Sequence, residues 1–600
     1  MALILLRPLM PLLRVCGSSI FAFIIWRLIK RLRALNSPLT HILGPKKEHW
    51  LKGNYHRIFK DGLQYNLDLV QKYGGAVKIY ALLGQEQLYI SDPLALHHII
   101  VKEQNVYEET DMFIMSNRLI FGEGLIATLG EQHRKQRKML NPVFSLANMR
   151  GLLPVIQPIA DQLRTILNAK IPADGSVVEV NLLPWLSRGA LEYICQAALG
   201  HSFNALDATK GNEYLEAIRR LAPSTLRLIF LRPFIPMIVR RLSLYWRNKM
   251  MDWVPGDALK DLRHVVNVMD TTSKKIFTEK RATLENEGFV GIAGNRMQGK
   301  DIMSIMLQAN ASSSSDDRLT DSELLGQMNT IIFAGFETTA TAICRIFWIL
   351  AQKQDVQARL RSAIRKAKRD YADAQGLSSP WEDVELPYDT LMGLPYLDAI
   401  VRETLRVYPP TSLLSRTARQ ASVLPLHRPI RSASGEMISS IHVPENTTLI
   451  ISILASNHNK EIWGEDASEW RPERWLSPSG ERLPLGDGEG NSTNGASLGV
   501  KNGIKYPGVY GLMMTFLGGG RACIGFKFAE MEIKQVLATL IPQIHFALPA
   551  STDRNGHVKE IYWKMNGLQV PVVRPPAGDN VTAQVPLDLR KVREQDFVVN

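Results

Sequence analysis

The stretch Phe516-Leu-Gly-Gly-Gly-Arg-Ala-Cys-Ile-Gly525 places a cysteine in a glycine-rich loop, directly before an apolar, helix-competent run, Phe526–Leu540. Glycines let a backbone approach a flat ligand closely and adopt conformations that are closed to other residues. A cysteine before a helix start lies near the positive end of the helix dipole, and Arg521 adds a full positive charge. Both effects favour a thiolate, which is a soft anionic ligand suited to iron. The alternative is a buried free cysteine in a glycine turn.

The composition bounds the class of protein. The 600 residues are 45% apolar, which is typical of a globular protein with a large core. The formal charge of +13 indicates an anionic membrane surface or an acidic protein as partner, with scattered solvated lysines as the alternative explanation. Nucleic acid is disfavoured because no zinc-finger spacing or base-reading motif is present. The four cysteines include no Cys-x-x-Cys pair, so the sequence predicts a reducing compartment without a disulfide framework.

Residues 1–35 are predicted to form an N-terminal membrane anchor helix followed by a basic stop. Residues 15–26 are uncharged, and extension across Arg14 to Pro8 gives the ~20 residues that a bilayer span needs. The basic cluster at residues 27–33 remains cytosolic by the positive-inside rule. A cleaved signal peptide is disfavoured because this cluster lies on the wrong side of the apolar run. A re-entrant or surface-lying segment is the other alternative.

Residues 36–575 show no internal repeat, and length alone would ordinarily suggest several domains for 600 residues. Residues 476–508 are rich in Gly, Ser and Asp and are predicted to form a surface loop. The C-terminal tail, residues 576–600, has no periodicity and is predicted to be peripheral. Residues 226–241 alternate apolar residues with arginines, and prolines forbid a continuous helix. Since arginine snorkels to headgroups, this segment predicts a patch in the membrane interface and a substrate entrance that faces lipid.

The pattern of the remaining chain is mainly helical with a small β-region. Alternating runs at Ala76–Tyr80 and at residues 87–90 predict a small sheet beside a helix. Residues 107–130 are loop-like, whereas residues 150–285 are helical in pattern. The expected fold class is therefore mainly α.

A capping box, Thr320-Asp-Ser-Glu323, opens a predicted helix that runs for ~31 residues to about Gln352. Because this helix is apolar almost all round, it is expected to cross the middle of the protein. Within it, Ala334-Gly-Phe-Glu-Thr-Thr339 contains a glycine that costs ~1 kcal/mol relative to alanine and an acid that is costly to bury without a partner. A local kink that admits a small ligand explains the glycine, the acid and the hydroxyls together. The alternative is a helix-packing glycine with one polar face.

Further candidate ligand-binding residues are basic. His133 and Arg137 share a helix face, either as part of a solvated basic helix or as donors to an anionic ligand. Arg416, in the predicted strand Leu413–Ala418, is another candidate donor.

A second group pairs an acid with two arginines. Glu403 and Arg406 lie three residues apart in a predicted helix, residues 395–406, which is ordinary helix pairing. Arg474 of Pro472-Glu-Arg-Trp475 offers a second guanidinium for the same carboxylate.

These signals, in this order along the chain, closely resemble a eukaryotic, microsomal-type cytochrome P450 over residues 40–575. The cysteine loop matches Phe-x-x-Gly-x-Arg-x-Cys-x-Gly in full. The resemblance implies the mostly helical, single-domain cytochrome P450 fold, with haem b between the long helix and the cysteine loop. His133 stands where many members have tryptophan, and Trp475 where phenylalanine is commoner. Both features, with the insertion, resemble fungal members, many of them in secondary metabolism.

The resemblance also implies a role for each matched residue. Cys523 is the expected axial iron ligand, with Phe516 shielding its thiolate and Gly519 and Gly525 permitting the tight loop. Glu337 and Thr338 are the expected proton relay to bound dioxygen. The residues expected to bind the haem propionates are Arg521, Arg137, His133 and Arg416. The expected structural triad is Glu403, Arg406 and Arg474.

Together these roles imply a haem-thiolate monooxygenase that inserts one atom of O₂ into a lipophilic substrate. Electrons are expected from an NADPH–cytochrome P450 reductase, since no flavin or nicotinamide motif is present, and Lys527 and Lys534 are expected on its docking face. The expected location is the endoplasmic reticulum membrane, single-pass, with the catalytic domain on the cytosolic side. The residues expected to line the pocket, which do not identify the substrate, are those around 107–125, Phe333, Phe336 and 411–415.

Two other functions stay open on the sequence. One is a reductase-independent haem-thiolate isomerase or dehydratase, which needs no proton relay, so the intact Glu337–Thr338 pair argues against it. The other is a non-catalytic haem or lipid-binding protein.

Overall fold

The computed structural model describes most of the 600 residues. The described residues are 37–60, 62–207, 211–228, 231–253, 257–287, 301–483, 505–550 and 555–597, together with Ile25, Thr209 and Thr552. The predicted membrane anchor, Ile25 apart, and residues 484–504 of the predicted insertion lie outside the described residues.

Helices account for most of the described chain, as the sequence predicts. They are α1 (Tyr55–Lys60), α2 (Gly62–Tyr73), α3 (Pro93–His97), α4 (Asp111–Phe121), α5 (Gly130–Leu140), α6 (Leu146–Lys170), α7 (Leu183–Leu199), α8 (Glu213–Arg227), α9 (Ile235–Arg241), α10 (Leu244–Trp253), α11 (Asp257–Glu287), α12 (Ile302–Ser312), α13 (Asp321–Gln352), α14 (Gln354–Gln375), α15 (Tyr388–Gly393), α16 (Pro395–Val407), α17 (Ile453–Asn457), α18 (Lys460–Trp463) and α19 (Phe526–Leu540).

The strands form small sheets. They are β1 (Ala76–Tyr80), β2 (Glu86–Ile90), β3 (Tyr107–Glu108), β4 (Val178–Asn181), β5 (Leu413–Ala418), β6 (Ser422–Arg431), β7 (Met437–Val443), β8 (Thr448–Ser452), β9 (Ile544–Ala547), β10 (Ile561–Asn566), β11 (Leu568–Val573) and β12 (Pro586–Lys591). A five-stranded sheet has the order β1-β2-β8-β5-β3, in which the β2–β8 pair is parallel and the other pairs are antiparallel. A three-stranded sheet has the order β4-β12-β9, and β6–β7 and β10–β11 are hairpins.

The long helix α13 begins and ends where its sequence predicts. The Thr320 hydroxyl accepts the Glu323 N–H at 3.3 Å, and a Glu323 carboxylate oxygen accepts the Thr320 N–H at 3.0 Å, which completes the capping box. Among the described residues, α13 is the one helix that is long and apolar enough to cross a membrane, and 67% of its most apolar window is buried inside the protein. Its apolar surface therefore serves the protein core.

The helix that packs most closely on α13 is α7. A Cβ atom on Gly335 of α13 would lie 2.8 Å from Ile194 Cδ1 of α7, so glycine allows this approach without displacing the isoleucine side chain. Helices α16 and α19 also contact α13. This arrangement places the cysteine loop, which leads into α19, beside the centre of the molecule.

Residues 107–130, predicted to be loop-like, contain strand β3 and helix α4 instead. Thr110 caps α4, because its hydroxyl accepts the Phe113 N–H at 3.2 Å. Two side chains of α13 hold the following segment: Asn329 donates to the Phe121 carbonyl at 3.4 Å, and Gln327 accepts the Leu125 N–H at 2.9 Å.

The predicted peripheral tail is instead part of the fold. Strand β12 is the central strand of its sheet, and Leu587 and Leu589 are fully buried. Arg590 then forms two hydrogen bonds of 2.7 Å with Asp596. A six-residue strand carries too short a pattern to be read alone, and its partners β4 and β9 are distant in sequence. The predicted surface loop is likewise anchored at one end, since Tyr506 is buried and donates to the Ser91 carbonyl at 2.8 Å.

Candidate active site

The cysteine loop is closed by its own backbone and tied to the core at its start. The Cys523 N–H donates to the Phe516 carbonyl at 2.8 Å. The Asn457 side chain accepts the Met514 N–H at 2.7 Å and donates to the Thr515 hydroxyl at 2.9 Å. Cys523 itself is exposed, although Ala522 before it and α19 after it are buried. The cysteine is therefore held in a fixed loop with its side chain open to a ligand.

The glycines of the loop differ in what they contribute. Gly519 has a φ of +63°, and a Cβ atom there would lie 2.2 Å from the carbonyl oxygen of Ile100. No other residue meets both conditions. Gly525 has a φ of −90°, and its Cβ would meet only Phe144, at 3.8 Å. The conformational reason expected for both glycines thus applies to Gly519 and not to Gly525.

The electrostatic surroundings of Cys523 differ from the sequence expectation. The atoms packed around the Cys523 thiol raise its pKa, although the residue stays open on one side, and the Gly525 N–H and the Arg137 charge oppose this rise. Arg521, the expected neighbouring charge, instead donates to the carbonyls of Thr128 at 2.8 Å and Leu125 at 3.4 Å. Arg137, and not Arg521, is therefore the charge that favours the Cys523 thiolate.

Phe516 belongs to an aromatic cluster on the same loop. Its ring lies edge-on to Tyr510, with centroids 5.4 Å apart, and 6.0 Å from Phe526. The Arg402 guanidinium lies 4.6 Å from the centroid of Tyr510. This cluster places aromatic rings on the cysteine loop, and shielding of Cys523 by Phe516 stays a prediction.

His133, Arg137, Arg416 and Arg521 come together, although they are distant in sequence. The pKa of His133 is lowered to about 3, by burial first and then by the charges of Arg521, Arg137 and Arg134, so its ring is neutral at ordinary pH. Arg137 donates to the Ala522 carbonyl, next to the cysteine. Burial lowers the pKa of Arg521 to about 10, with the Arg416 and Arg137 charges adding to this effect against that of Glu109. We call Arg137, Arg416 and Arg521 the arginine cluster.

Glu109 is the acid of this site, and sequence reasoning missed it. Its carboxylate accepts from Arg416 Nη1 at 2.7 Å, and both side chains are largely buried. The pairing follows from the β3–β5 register, which sets Glu108 opposite Thr417 and hence the next residue opposite Arg416. Glu109 and Glu108 both act on Arg521, against three guanidinium groups, so the arginine cluster keeps an excess of positive charge. The site is therefore suited to an anionic ligand.

One turn of α13 is open within an otherwise buried helix. Ala334 is exposed and Phe333, Glu337 and Thr338 are partly exposed, whereas most of the helix is buried. The Thr338 hydroxyl donates to the Ala334 carbonyl at 2.8 Å, and the helix is continuous through this turn. The predicted kink is absent, and Gly335 serves helix packing, which was the alternative explanation. The open turn nevertheless brings the acid and the hydroxyl to one face.

Glu337 has an unusual environment for a carboxyl group. Burial raises its pKa from 4.5 to about 7, and the positive charge of Arg219 on α8 opposes this rise. Arg219 itself donates to the Pro184 carbonyl at 2.9 Å. Glu337 therefore exchanges its proton near neutral pH. Arg219 was missed because only tertiary packing brings α8 to this turn.

The proposed triad comes together in the core. Glu403 accepts from Arg406 Nη2 at 2.8 Å and from Arg474 Nε at 3.3 Å. Arg406 also donates to the carbonyl of Asn457 at 2.7 Å. Because the Asn457 side chain holds Met514, the triad is connected to the start of the cysteine loop.

Lys534 is not available for a docking face. Its side chain is fully buried, and Nζ donates to Asp398 at 2.7 Å and to Glu530 at 2.8 Å. The prediction failed because the helical period places this lysine on the inner face of α19. Lys527 remains partly exposed.

The residues predicted to line the pocket fall into two classes. Phe333 is partly exposed beside the open turn and contacts Phe121, with ring centroids 4.5 Å apart. Phe336 is 1% exposed and belongs to the core, so the prediction for it is wrong. The segment of residues 411–415 is partly exposed, except for the buried Ser412.

Comparison with known proteins gives a consistent result. The family model described as cytochrome P450 matches residues 43–570. The chain is similar to cytochrome P450 monooxygenase 91 of Postia placenta, with 39% identity over 96% of this chain and 98% of that protein. It is also similar to cytochrome P450 monooxygenase 219 of the same fungus, with 40% identity over 92% and 93%. A ganoderic acid synthetase of Ganoderma lucidum is 33% identical over 92% of this chain and 94% of that protein.

Proposed function

The chain belongs to the cytochrome P450 family of monooxygenases, and on that premise we propose that it oxidises a lipophilic small molecule in fungal secondary metabolism. O₂ would be the oxidant, and an NADPH–cytochrome P450 reductase would supply the electrons. The observation that carries the proposal is the open turn of α13, which presents a carboxyl group with a pKa of about 7 beside a hydroxyl.

Enzymes of this family use haem with a cysteine thiolate as axial ligand. The residues of the site fit this cofactor. Cys523 is exposed on a loop whose Gly519 permits a close backbone approach, and sulfur is the soft ligand that iron accepts. The excess positive charge of the arginine cluster suits the anionic propionates of haem. His133, neutral and buried, offers one further N–H donor.

Bound haem would supply the activation of O₂ and the insertion of oxygen into the substrate. The residues of the chain would bind and orient this group. Cys523 Sγ would hold the iron, and Phe516 would shield the sulfur from water. Arg137, Arg416 and Arg521 would bind the propionates through charge-assisted hydrogen bonds.

Glu337 and Thr338 would deliver the protons that reduction of O₂ consumes. A carboxyl with a pKa of about 7 is protonated in part at neutral pH and is readily reloaded from water. The Thr338 hydroxyl directs its hydrogen to the Ala334 carbonyl and so leaves its oxygen lone pairs toward the open turn. An isomerase or dehydratase needs no such proton supply, so this environment favours the monooxygenase over that alternative.

An exposed apolar and basic surface supports association with a membrane. Large apolar side chains are exposed on and beside α9 and α10, and they are Leu231, Phe234, Met237, Tyr245 and Trp246. Arg240 and Arg241 on α9 are also exposed. A surface that mixes apolar and arginine side chains suits the headgroup boundary of a bilayer. With the anchor predicted for residues 1–35, we place the domain on the cytosolic side of the endoplasmic reticulum.

The names of the relatives support a role in secondary metabolism. One relative is named for the synthesis of ganoderic acid, and others are fungal monooxygenases. Comparison of the metabolites of a fungal strain that expresses this chain with those of a strain that lacks it would identify the substrate. A product that carries one added oxygen atom and depends on NADPH is the expected result.

The central experiment tests the cysteine. Cys523→Ser should abolish the thiolate spectrum of the reduced carbon monoxide complex, because serine oxygen does not replace a soft anionic sulfur. Cys344→Ser, at a buried cysteine of α13, is the matched control and should keep that spectrum. Retention of the spectrum in Cys523→Ser would refute the proposed site. Rearrangement of a hydroperoxide without NADPH, in place of NADPH-dependent oxidation, would instead favour the isomerase.

A further inference from the structure

Arg345 is a buried arginine of α13 that none of the roles above explains. Its side chain is 3% exposed, and among the described residues no carboxylate forms an ion pair with it. Burial lowers its pKa well below the ordinary value for arginine. It lies seven residues after Thr338, which places it on the same face of the helix about two turns, or ~10.5 Å, further along.

Aromatic rings replace the missing carboxylate. The Arg345 guanidinium carbon lies 3.6 Å from the ring centroid of Trp563 on β10 and 4.3 Å from that of Tyr408 at the end of α16. Trp348, one turn further along α13, lies at 5.2 Å. These contacts are attractive because each ring face is electron-rich. They join three separate elements of the fold around one charge.

The guanidinium is also connected to the backbone before β5. Arg345 Nη2 donates to Gln569 Oε1 of β11 at 2.5 Å. Gln569 Nε2 in turn donates to the Pro409 carbonyl at 3.0 Å and to Ser412 Oγ at 3.2 Å. The Gln569 N–H donates to the Pro410 carbonyl at 3.1 Å. One glutamine thus fixes residues 409–412 from two sides, and Arg345 fixes the glutamine.

This segment leads directly into the site. Ser412 precedes the partly exposed Leu413 and Leu414 of β5, and Arg416 of the arginine cluster follows on the same strand. On the other side, the turn of the β10–β11 hairpin is exposed at Gly567. The positions of residues 409–412 and of the β10–β11 hairpin relative to the open turn of α13 therefore depend on the Arg345–Gln569 pair.

An apolar side chain would serve the stability of this core at least as well. A buried charge is costly to desolvate, and its replacement by a well-packed apolar residue of similar size is often neutral or stabilising. What the apolar residue lacks is the planar fork of donors that fixes direction. The contribution of Arg345 is therefore one of orientation.

We propose that Arg345 is a positioning residue that sets the shape of the substrate pocket, by holding Gln569 and with it residues 409–412 against α13. Large ligands reach residues 409–412, so their binding depends on the Arg345–Gln569 pair. Binding of a small ligand does not depend on this pair. The proposal rests on the function proposed above in treating the open turn of α13 as the side that faces substrate.

The test uses two azoles that bind ferric haem and report binding by their absorbance shift. Imidazole is a single small ring, so we expect it not to reach residues 409–412. Clotrimazole carries several aromatic rings, which would extend into the space beside the haem. In Arg345→Met and Gln569→Leu, clotrimazole should bind about tenfold more weakly (~1.4 kcal/mol), while imidazole stays within about twofold of the unchanged protein. Arg345→Lys keeps the charge without the planar fork and should fall between these values.

Arg361→Met is the matched control for loss of a buried arginine. Arg361 is 1% exposed and donates to the Ile541 carbonyl at 3.0 Å, away from the pocket. It should lower the melting temperature and leave the ratio of the two azole affinities unchanged. If Arg345→Met does not fold, Gln569→Leu alone decides.

The outcomes separate the two proposals. Normal imidazole binding with an unchanged ratio in Gln569→Leu and in any folded Arg345 variant overturns the positioning role alone. An unchanged protein that binds neither azole overturns both this role and the proposed haem site. A change of ratio in Arg361→Met equal to that in Arg345→Met would also overturn it, since general destabilisation would then explain the result.

Discussion

The change of Glu403 to glutamine tests how the core supports the cysteine loop. The two carboxylate oxygens accept five hydrogen bonds, from Arg406 Nε and Nη2, both at 2.8 Å, Trp475 Nε1 at 2.9 Å, the Arg471 N–H at 3.0 Å and Arg474 Nε at 3.3 Å. Glutamine keeps the shape but converts one acceptor oxygen into an NH₂ group that faces other donors. At least one buried donor therefore loses its acceptor.

The burial of the pair sets the magnitude. The side chains of Glu403 and Arg406 are both 0% exposed, so the variant leaves a buried guanidinium without its counter-ion. Such a loss costs ~3–5 kcal/mol, against a typical total stability of ~5–15 kcal/mol. With an unfolding entropy of ~2.1 cal/mol/K per residue over ~540 residues, the melting temperature should fall by ~3–4 °C. Because Arg406 and Asn457 connect the triad to the cysteine loop, the fraction of thiolate-ligated haem should fall as well.

The assay compares this variant with Glu473→Gln. Glu473 pairs with Arg359 at 3.2 Å, but both side chains are 46% exposed, so the loss should be at most ~1 kcal/mol. Thermal unfolding and the reduced carbon monoxide spectrum are measured for each. If Glu403→Gln keeps full haem content and melts within about 1 °C of Glu473→Gln, burial does not control the strength of this pair and the reasoning is refuted.

Two further predictions follow from the site. Burial raises the pKa of the Glu337 carboxyl in the folded protein to about 7, from an unfolded value of 4.5. Protonation of Glu337 therefore stabilises the folded state, and this contribution is complete below pH 4.5 and lost as the pH rises through 7. Glu337→Gln should thus have a melting temperature that rises progressively above that of the unchanged protein between about pH 5 and pH 8; a difference that is constant with pH would contradict this. Gly519→Ala should lower the melting temperature more than Gly376→Ala does. Both glycines have a φ of +63°, but only at Gly519 would the added Cβ atom meet a backbone carbonyl. Equal losses would show that the contact with Ile100 is not limiting.

Elements whose signals are local were predicted well. The ends of α13 follow from its capping box, and α19 begins after the loop glycines and spans the predicted Phe526–Leu540. The predicted strand Leu413–Ala418 is β5 as observed. In each case the hydrogen bonds or the apolar pattern that define the element lie within a few residues of one another.

Features that depend on partners distant in sequence were missed. Glu109 is brought to Arg416 by strand register, and Arg219 is brought to Glu337 by the packing of α8. Lys534 was assigned to the surface, but burial against Asp398 places it in the core. Strand β12 was taken for a loose tail because its partners lie far away along the chain.

The cysteine loop shows where this division lies. The sequence by itself indicated Cys523 as the proposed ligand, because a glycine-rich loop before a helix and its residue types are local properties. It also determined the family, through the order of its motifs. Only the tertiary structure decided that Arg137, and not Arg521, is the charge beside the thiol, and that an excess of positive charge remains for an anionic ligand. Charge and burial act through space, and the chain's order does not fix which groups meet there.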